Sequence, residues 1–401
     1  MPLICLIFSL ILLPFDVAAY DYEFSGVIAA EGRIFPNNER FAGQHSHNGS
    51  LSIKPEFYFE WDEGDQSFLF VPFARLDQGD SKRTHGDIRE LTYVKAADTW
   101  ELRVGLRKVF WGVAESNHLI DIINQTDLVE NLDTEDKLGQ PMINLALIRD
   151  WGTIDFFVLP GFRERTFPGK SGRLRAPFRV DDSEEDYESA AKNKHVDYAI
   201  RYSHYFGDYD VGLYHFWGTS REPLLFPTLT SSNELVFGTR YDLIHQTGLD
   251  VQATKGNWLF KLEALRREGQ TVAFNDDTFY ATVGGFEYTF VGIMDSAMDL
   301  GVIGEYHFDD RGESFFAPFN NDVFVGGRLA FNDAQDTQVL GGIIADLNGN
   351  ANFLNIEASR RLGDRWKIEA EARIFFGVDR LDPFWSLDKD DYLQLELARY
   401  F

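Results

Sequence analysis

The chain has a single cysteine and, beyond its first residues, no long apolar run. Cys5 lies within the apolar segment from Leu3 to Phe15, so the rest of the chain has no thiol for a disulfide or a thiolate site. No later stretch approaches the ~20 apolar residues that a transmembrane helix needs. Positive charge is also scarce, with 38 Lys and Arg against 64 Asp and Glu, and the net charge of −26 disfavours nucleic-acid binding.

The first residues predict a secretory signal peptide. The apolar run from Leu3 to Phe15 is interrupted only by Ser9, and Val17-Ala18-Ala19 supplies the small residues of a cleavage site. We therefore expect residues 1–19 to be the signal peptide and residues 20–401 to be the exported protein. An N-terminal membrane anchor is the alternative, disfavoured because the run is shorter than ~18 residues.

Apolar and polar residues alternate along much of the chain, most clearly in its last ten residues. Leu393, Leu395 and Leu397 share one face of this segment, and Gln394 and Glu396 share the other. Such alternation lets a chain without apolar helices cross a membrane as a closed barrel, whose outer face meets lipid and inner face meets water. A large soluble β-sandwich or β-helix is the alternative.

Eighteen segments of this kind, from Tyr20–Ile34 to the C-terminal strand, predict an all-β fold. We expect a transmembrane antiparallel β-barrel of about 18 strands, with 16 as the alternative count. Tight turns such as 255–257 and 363–365 alternate with longer polar loops such as 309–321 and 377–390. This alternation predicts short periplasmic turns and long extracellular loops, with both termini in the periplasm.

Two segments resemble known families. The C-terminal strand resembles the closing strand of bacterial outer-membrane barrels, in which a terminal aromatic residue, here Phe401, is the assembly signal. Phe110-Trp-Gly-Val-Ala-Glu-Ser, followed by Asp121-Ile-Ile-Asn124 and Asp127, resembles a pattern of poorly characterised proteobacterial barrel proteins. The resemblance implies a porin-like barrel of the Gram-negative outer membrane. Its expected partners are the outer-membrane lipid, lipopolysaccharide, the barrel assembly machinery and small hydrophilic solutes.

Residues 111–141 form a long insertion after the fifth predicted strand. Its middle, residues 118–124, is too apolar to lie in solvent, so we expect it to fold against the inner wall and narrow the pore, as a third extracellular loop does in porins. Against a single Lys137, seven acidic residues are expected at the pore constriction: Glu115, Asp121, Asp127, Glu130, Asp133, Glu135 and Asp136. Crowded carboxylates attract cations, which predicts a modest cation preference.

Inward-facing positions predict a lumen wall of mixed charge. Cross-strand ion pairs are expected among Glu101, Arg103, Arg107, Glu357, Lys367, Glu369, Glu371, Arg373 and Glu396. Six basic residues between Arg163 and Arg179 precede six acidic residues between Asp181 and Glu188. Self-pairing within one solvated loop is the preferred interpretation, and lipopolysaccharide binding is the alternative.

The sequence carries no recognisable enzyme motif, so we expect a non-enzymatic protein. His45 and His47 could offer two imidazoles to a metal, but a third ligand is missing, and neither metal nor cofactor is expected. The favoured function is an outer-membrane channel for passive passage of small hydrophilic solutes. The alternative is a non-channel barrel that acts as a surface-binding or polysaccharide-export component. The sequence does not determine the oligomeric state.

Overall fold

The computed structural model describes residues 20–272, 275–312, 317, 319–380 and 382–401. The expected signal peptide, residues 1–19, lies outside the described residues. Within the described ranges, no helix is both long enough and apolar enough to span a membrane. Helical geometry is confined there to four short 3₁₀ segments: Asp62–Gly64, Lys192–Lys194, Ile293–Asp295 and Trp385–Leu387.

The described residues form 21 strands. These are β1 (Tyr20–Ile34), β2 (His47–Trp61), β3 (Gln66–Asp77), β4 (His85–Ala97), β5 (Trp100–Arg107), β6 (Gln140–Arg149), β7 (Gly152–Pro160), β8 (Val180–Tyr187), β9 (Val196–Phe206), β10 (Tyr209–Thr219), β11 (Leu224–Leu229), β12 (Leu235–Tyr241), β13 (Leu243–Lys255), β14 (Trp258–Val272), β15 (Asn275–Phe290), β16 (Asp299–Asp309), β17 (Asn321–Ala330), β18 (Gln338–Asp346), β19 (Asn352–Leu362), β20 (Trp366–Phe376) and β21 (Tyr392–Tyr400).

Eighteen of these strands form one closed antiparallel barrel, and β8, β11 and β12 form a separate small sheet. Neighbours in the barrel pair in chain order, and β1 pairs both with β2 and with β21. The closing register runs from Val27 opposite Tyr400 to Ile34 opposite Leu393. The predicted 18-stranded barrel is therefore confirmed, and the alternative count of 16 is wrong.

The alternation of the sequence sets which side chains face outward. On β14, Trp258 and Phe260 are exposed on the outer surface, whereas Lys261 and Glu263 are buried inside. Outward-facing Trp366, Leu395 and Leu397 are likewise exposed, and Ile368 on the same face is half-buried. Glu369, Glu371 and Glu396 line the lumen. The predicted inside-outside phase is confirmed, because a strand places successive side chains on opposite faces.

The two ends of the barrel differ in their connections. At the end that carries Tyr20 and Phe401, called the turn end, the connections are residues 62–65, 98–99, 150–151, 207–208, 256–257, 291–298, 331–337 and 363–365. At the opposite end, called the loop end, they are residues 35–46, 78–84, 108–139, 161–195, 220–242, 310–320, 347–351 and 377–391. The connection between β14 and β15 also belongs to the loop end but lies outside the described residues. Which end faces the periplasm stays a prediction.

Exposed aromatic residues encircle the turn end. They include Trp151, Tyr205, Trp258, Phe290, Trp366 and Phe401. Aromatic rings favour the membrane–water interface because an apolar ring and a polar edge suit that boundary, and girdles of this kind flank the lipid-facing band of membrane barrels. Phe401 closes the ring: its backbone N–H donates to the Gly26 carbonyl at 3.1 Å, and its side chain packs on Phe24.

Candidate functional site

The insertion between β5 and β6, residues 108–139, crosses the lumen of the barrel. Backbone groups and side chains of this segment contact β14 and β16 on one side of the wall. The tip of the insertion contacts β3, β4 and β20 on other parts of the wall. The prediction that this segment folds against the inner wall is therefore confirmed, with the small difference that Gln140 and Pro141 already belong to β6.

An apolar cluster fixes one part of the insertion. Ile120, Ile122 and Ile123 are almost fully buried and pack with inner-wall side chains that include Phe157 and Phe216. Removing three isoleucine side chains from water contributes roughly 1.5–3 kcal/mol each. The apolar run at residues 118–124 thus explains why the insertion lies inside rather than in solvent.

Two inward-facing glutamates hold the adjacent part of the insertion by its backbone. Glu263 on β14 accepts hydrogen bonds from the backbone N–H groups of Val113, Ala114 and Ile120, at 2.6, 2.8 and 3.1 Å. Glu305 on β16 accepts hydrogen bonds from the backbone N–H groups of Glu115 and Ser116 in the same way, at 2.7 and 2.9 Å. Hydrogen bonds to an ionised acceptor are stronger than neutral ones. Neither glutamate stands out in the sequence, although both occupy inward positions of alternating strands.

Ser116 and His307 approach a catalytic arrangement without completing one. The Ser116 hydroxyl lies 2.8 Å from Nε2 of His307 and also contacts Glu305. In a nucleophilic triad the acid orients the imidazole through its other nitrogen. Here Glu305 contacts the serine, and Nδ1 of His307 has no hydrogen-bond partner within the described part of the chain. These three groups therefore attach the insertion to the wall.

The tip of the insertion is bound to a cluster of wall arginines. Asp127, which is fully buried, accepts a hydrogen bond from Arg89 at 2.6 Å, and Glu130 lies 2.9 Å from Arg75. Glu31 on β1 lies 3.1 Å from Arg75, and Arg33 and Arg83 also pair with it. Removing one partner of a buried pair leaves an uncompensated charge, so substituting Asp127 or Glu130 alone should destabilise the protein.

Three further predicted constriction acids are also paired. Glu115 lies 3.1 Å from Lys261 and 2.7 Å from Arg328. Asp121 lies 3.1 Å from Lys137, and Asp133 lies 3.0 Å from Arg373. Together with the tip, five of the seven predicted acids pair with lysine or arginine: Glu115, Asp121, Asp127, Glu130 and Asp133.

The remaining two acids, Glu135 and Asp136, are exposed to the lumen. Glu135 lies 3.6 Å from His118, and this interaction lowers the pKa of Glu135 despite the enclosure of the loop. Enclosure by the barrel, reinforced by the carboxylates of Asp133 and Glu130, raises the pKa of Asp136 to about 6. These two carboxylates therefore titrate over different pH ranges.

The predicted lumen-wall residues form ion pairs within single strands, so the expectation of cross-strand pairs among them is wrong. Glu101 pairs with Arg103, and Arg103 and Arg107 both donate hydrogen bonds to Asn144, at 2.9 and 3.2 Å. On β20, Lys367 lies 2.7 Å from Glu369, and Arg373 pairs with Glu371. Glu357 accepts a hydrogen bond from Asn355 at 2.7 Å, and Glu396 lines the lumen nearby.

A second loop also folds into the barrel, contrary to the expectation of a solvated, self-paired segment at residues 163–188. Arg179 does pair with Asp181 at 2.8 Å. Arg173, however, is buried and pairs with Asp390 at 2.6 Å, and Arg163 pairs with Asp87 at 2.9 Å. The expectation is wrong for these two arginines, because the loop turns inward and brings them to acids that are distant in sequence.

The insertion divides the lumen into two water-accessible chambers. The turn-side chamber has a volume of about 600 Å³ and the loop-side chamber one of about 380 Å³. Residues 131–136 form part of the partition: Asn131, Asp133 and Glu135 line the turn-side chamber, while Leu132 and Thr134 line the loop-side chamber. A single segment of chain therefore separates the two chambers at this point.

One group of side chains has the composition of a metal site. Ligand atoms of His85, Asp127 and Glu130 lie within 4.8 Å of one another. Arg89 and Arg75 already bind the two carboxylates, and these guanidinium charges oppose a further cation. The histidines considered from the sequence, His45 and His47, are exposed at the loop end.

No protein-family model and no curated protein matches the sequence. The described barrel is similar to solved bacterial porins. A BenF-like porin from Pseudomonas fluorescens Pf-5 aligns over 95% of this chain and 98% of its own, with 10% identity and a TM-score of 0.55. For OccK11 (OpdR) of Pseudomonas aeruginosa the coverage is 95% of both chains, with 9% identity and a TM-score of 0.52. OpdO of the same organism aligns over 95% and 96%, with 10% identity and a TM-score of 0.51. The fold is that of a porin.

This fold and the apolar outer face place the protein in the bacterial outer membrane. An antiparallel barrel satisfies all backbone hydrogen bonds between its own strands, so it can expose apolar side chains to lipid without leaving unpaired backbone groups. At 9–10% identity, the likeness establishes the fold.

Proposed function

We propose that this porin-like protein is a non-enzymatic channel for passive passage of small hydrophilic solutes, with a modest preference for cations. The observation that carries the proposal is the polar lumen, which the insertion narrows but does not fill. Chambers of about 600 and 380 Å³ remain on its two sides. Both volumes suit small hydrated solutes.

The charges of the turn-side chamber support a modest rather than a strong cation preference. Five of the predicted constriction acids are paired with lysine or arginine, four of them with wall residues and Asp121 with Lys137 of the insertion. The acids able to act on passing ions are therefore Glu135 and Asp136. Glu357 and Glu396 add negative charge from the wall. Lys54 and Lys108 line the same chamber, and neither has an acid within ion-pair distance among the described residues, so they offset part of this charge.

Planar-bilayer conductance of the refolded protein tests the channel, and reversal potentials under a KCl gradient test the selectivity. We expect stepwise conductance. The sign of the reversal potential should show that cations pass more readily than anions. The Glu135→Gln/Asp136→Asn variant should move the reversal potential toward zero. Glu63→Gln/Asp150→Asn, which changes charge equally in two turn-end connections, should leave it unchanged.

The two parts of the proposal fail separately. Absence of conductance, together with no swelling of sugar-loaded liposomes, would contradict the channel and favour a non-channel barrel. A conducting but anion-selective pore would leave the channel standing and overturn the cation preference. Equal shifts in the lumen variant and the turn variant would show that the surface potential of the whole molecule sets the selectivity.

A further inference from the structure

The loop-side chamber carries a charge opposite to that of the turn-side chamber. The side chains that line it include three acids, Asp121, Glu222 and Asp309. Five basic residues also line it: Lys137, Arg165, Arg175, Arg221 and Arg311. The turn-side chamber, by contrast, is lined by more acids than bases. A solute that enters from the loop end therefore meets a cationic space first.

Two of these arginines keep a buried donor without a partner, and a third has no acidic partner. Arg221 is almost completely buried and binds Asp197 at 2.8 Å, yet its Nη2 has no hydrogen-bond partner in the described ranges. Arg175 is buried and donates to backbone carbonyls, and among the described residues its Nε has no hydrogen-bond partner. Arg165 donates to a glutamine and to a backbone carbonyl, and no carboxylate of the described residues lies within ion-pair distance of it.

Unsatisfied guanidinium groups in an enclosed space favour an anionic ligand. A guanidinium presents several N–H donors in a fixed plane, which matches the two oxygens of a carboxylate or phosphate. Burial removes water that would otherwise satisfy these donors, and leaving them unpaired costs free energy. A ligand that accepts their hydrogen bonds removes this cost. Glu222, a carboxylate that lines the same chamber, is already engaged by Arg267 and Arg311 at 3.0 and 3.6 Å.

Much of the remaining chamber wall is apolar. Phe167, Phe319 and Phe384 line it together with Leu119, Leu132 and Leu174. The volume of about 380 Å³ is that of a small organic molecule. A simple inorganic anion would use the arginines but would leave these apolar side chains facing water.

We propose that the loop-side chamber is a binding site for small organic anions that combine a carboxylate or phosphate group with an apolar body. The anionic group lies against Arg165, Arg175 and Arg221, and the apolar body packs on the phenylalanines. This inference deepens the proposed channel function by naming the solutes that the loop end captures.

Calorimetric titration of the refolded protein in detergent tests the site without requiring conduction. The ligands are hexanoate, hexylammonium, acetate and inorganic phosphate. Hexanoate should bind at least tenfold more tightly than hexylammonium, which has the same body and the opposite charge, and more tightly than acetate, which lacks the body. Tighter binding of phosphate than of hexanoate would remove the apolar part of the proposal. Affinity for hexanoate should fall as the salt concentration rises.

Two substitutions with opposite expected effects identify the site. Arg165→Gln should weaken hexanoate binding about tenfold, the scale of one lost charge-assisted hydrogen bond, while Arg165→Lys should retain much of it. Glu222→Gln should strengthen binding severalfold, because the chamber loses one negative charge and Arg267 loses its carboxylate partner. Arg179→Gln is the matched control, since Arg179 pairs with Asp181 and does not line the chamber.

Equal binding of hexanoate and hexylammonium would overturn the proposal, as would equal weakening by Arg165→Gln and the Arg179→Gln control. A merely structural role of Arg165 would lower the folded fraction without changing the ratio of the two affinities. In bilayers, hexanoate should interrupt the current more often from the loop side than from the turn side. Absence of any current would refute the channel, whereas the titration would still decide the site.

Discussion

The backbone clamp formed by Glu263 offers the sharpest test of how the insertion is held. Glu263 is fully buried, and its two carboxylate oxygens accept three backbone N–H groups of the insertion. Glu263→Ala removes both acceptor oxygens and leaves three backbone N–H groups of the insertion unpaired. Each hydrogen bond to a charged group contributes roughly 1.5–3 kcal/mol, so the clamp is worth at least ~4 kcal/mol even if the bonds are not additive.

The apolar cluster should survive the substitution. Ile120, Ile122 and Ile123 contribute roughly 1.5–3 kcal/mol each through burial, which together equals or exceeds the loss at Glu263. The segment from Trp111 to Ser116 should therefore detach locally while residues 120–124 stay on the wall. We expect a larger and noisier single-channel conductance from a barrel that is otherwise folded.

Single-channel recording in planar bilayers is the assay, and Glu268→Gln is the matched control. Glu268 lies on the same strand but is partly exposed and pairs with Arg266. The Glu305→Gln variant should show a smaller effect of the same kind. Combined with Glu263→Ala it should be non-additive, because both residues hold one segment. A Glu263→Ala channel with wild-type conductance and noise would refute the clamp, as would an equal change in Glu268→Gln.

Three further expectations follow from particular contacts. Because the Asp136 pKa is about 6 and that of Glu135 is lowered, cation preference should fall as the pH drops through 6, and Asp136→Asn should abolish this step in the reversal potential. A Cβ at Gly26 would lie 2.7 Å from the Phe401 ring, so Gly26→Val, like deletion of Phe401, should reduce the heat-modifiable folded barrel on gels while export continues. Asp390→Asn leaves the buried Arg173 guanidinium uncompensated at a cost of roughly 3–5 kcal/mol, and limited proteolysis should then cut the 161–195 connection faster than in an Asp181→Asn control.

The barrel could be predicted from the sequence because its physical constraint is local. Each strand must place apolar side chains toward lipid at every second position, so Trp258 and Phe260, or Leu395 and Leu397, reveal the strand and its phase together. The location of the insertion could be predicted for a similar reason, since the apolar run at residues 118–124 needs a dry partner. Neither inference required knowledge of distant contacts.

The ion pairs of the lumen could not be predicted in the same way. Asp133 pairs with Arg373, which is far away in the sequence. Glu130 pairs with Arg75 on β3, which is separated by β4 from the strand that precedes the insertion. A closed barrel brings every inward position within reach of a loop that enters the lumen, and alternation alone does not rank these partners. The expected self-pairing of residues 163–188 failed at Arg173 because closeness along the chain was taken as closeness in space.

The placement of the acids changes what their number means for selectivity. The sequence prediction took all seven carboxylates of residues 111–141, against one lysine, as lining the pore constriction. Asp127 and Glu130, however, are buried and bound to arginines, so they fix the tip of the insertion to the wall and have little charge left for a passing ion. Most acids of the insertion thus hold it in place, and Glu135 and Asp136 face the water of the lumen. A filter of two carboxylates, one of which is protonated near pH 6, favours a preference for cations that is modest and dependent on pH.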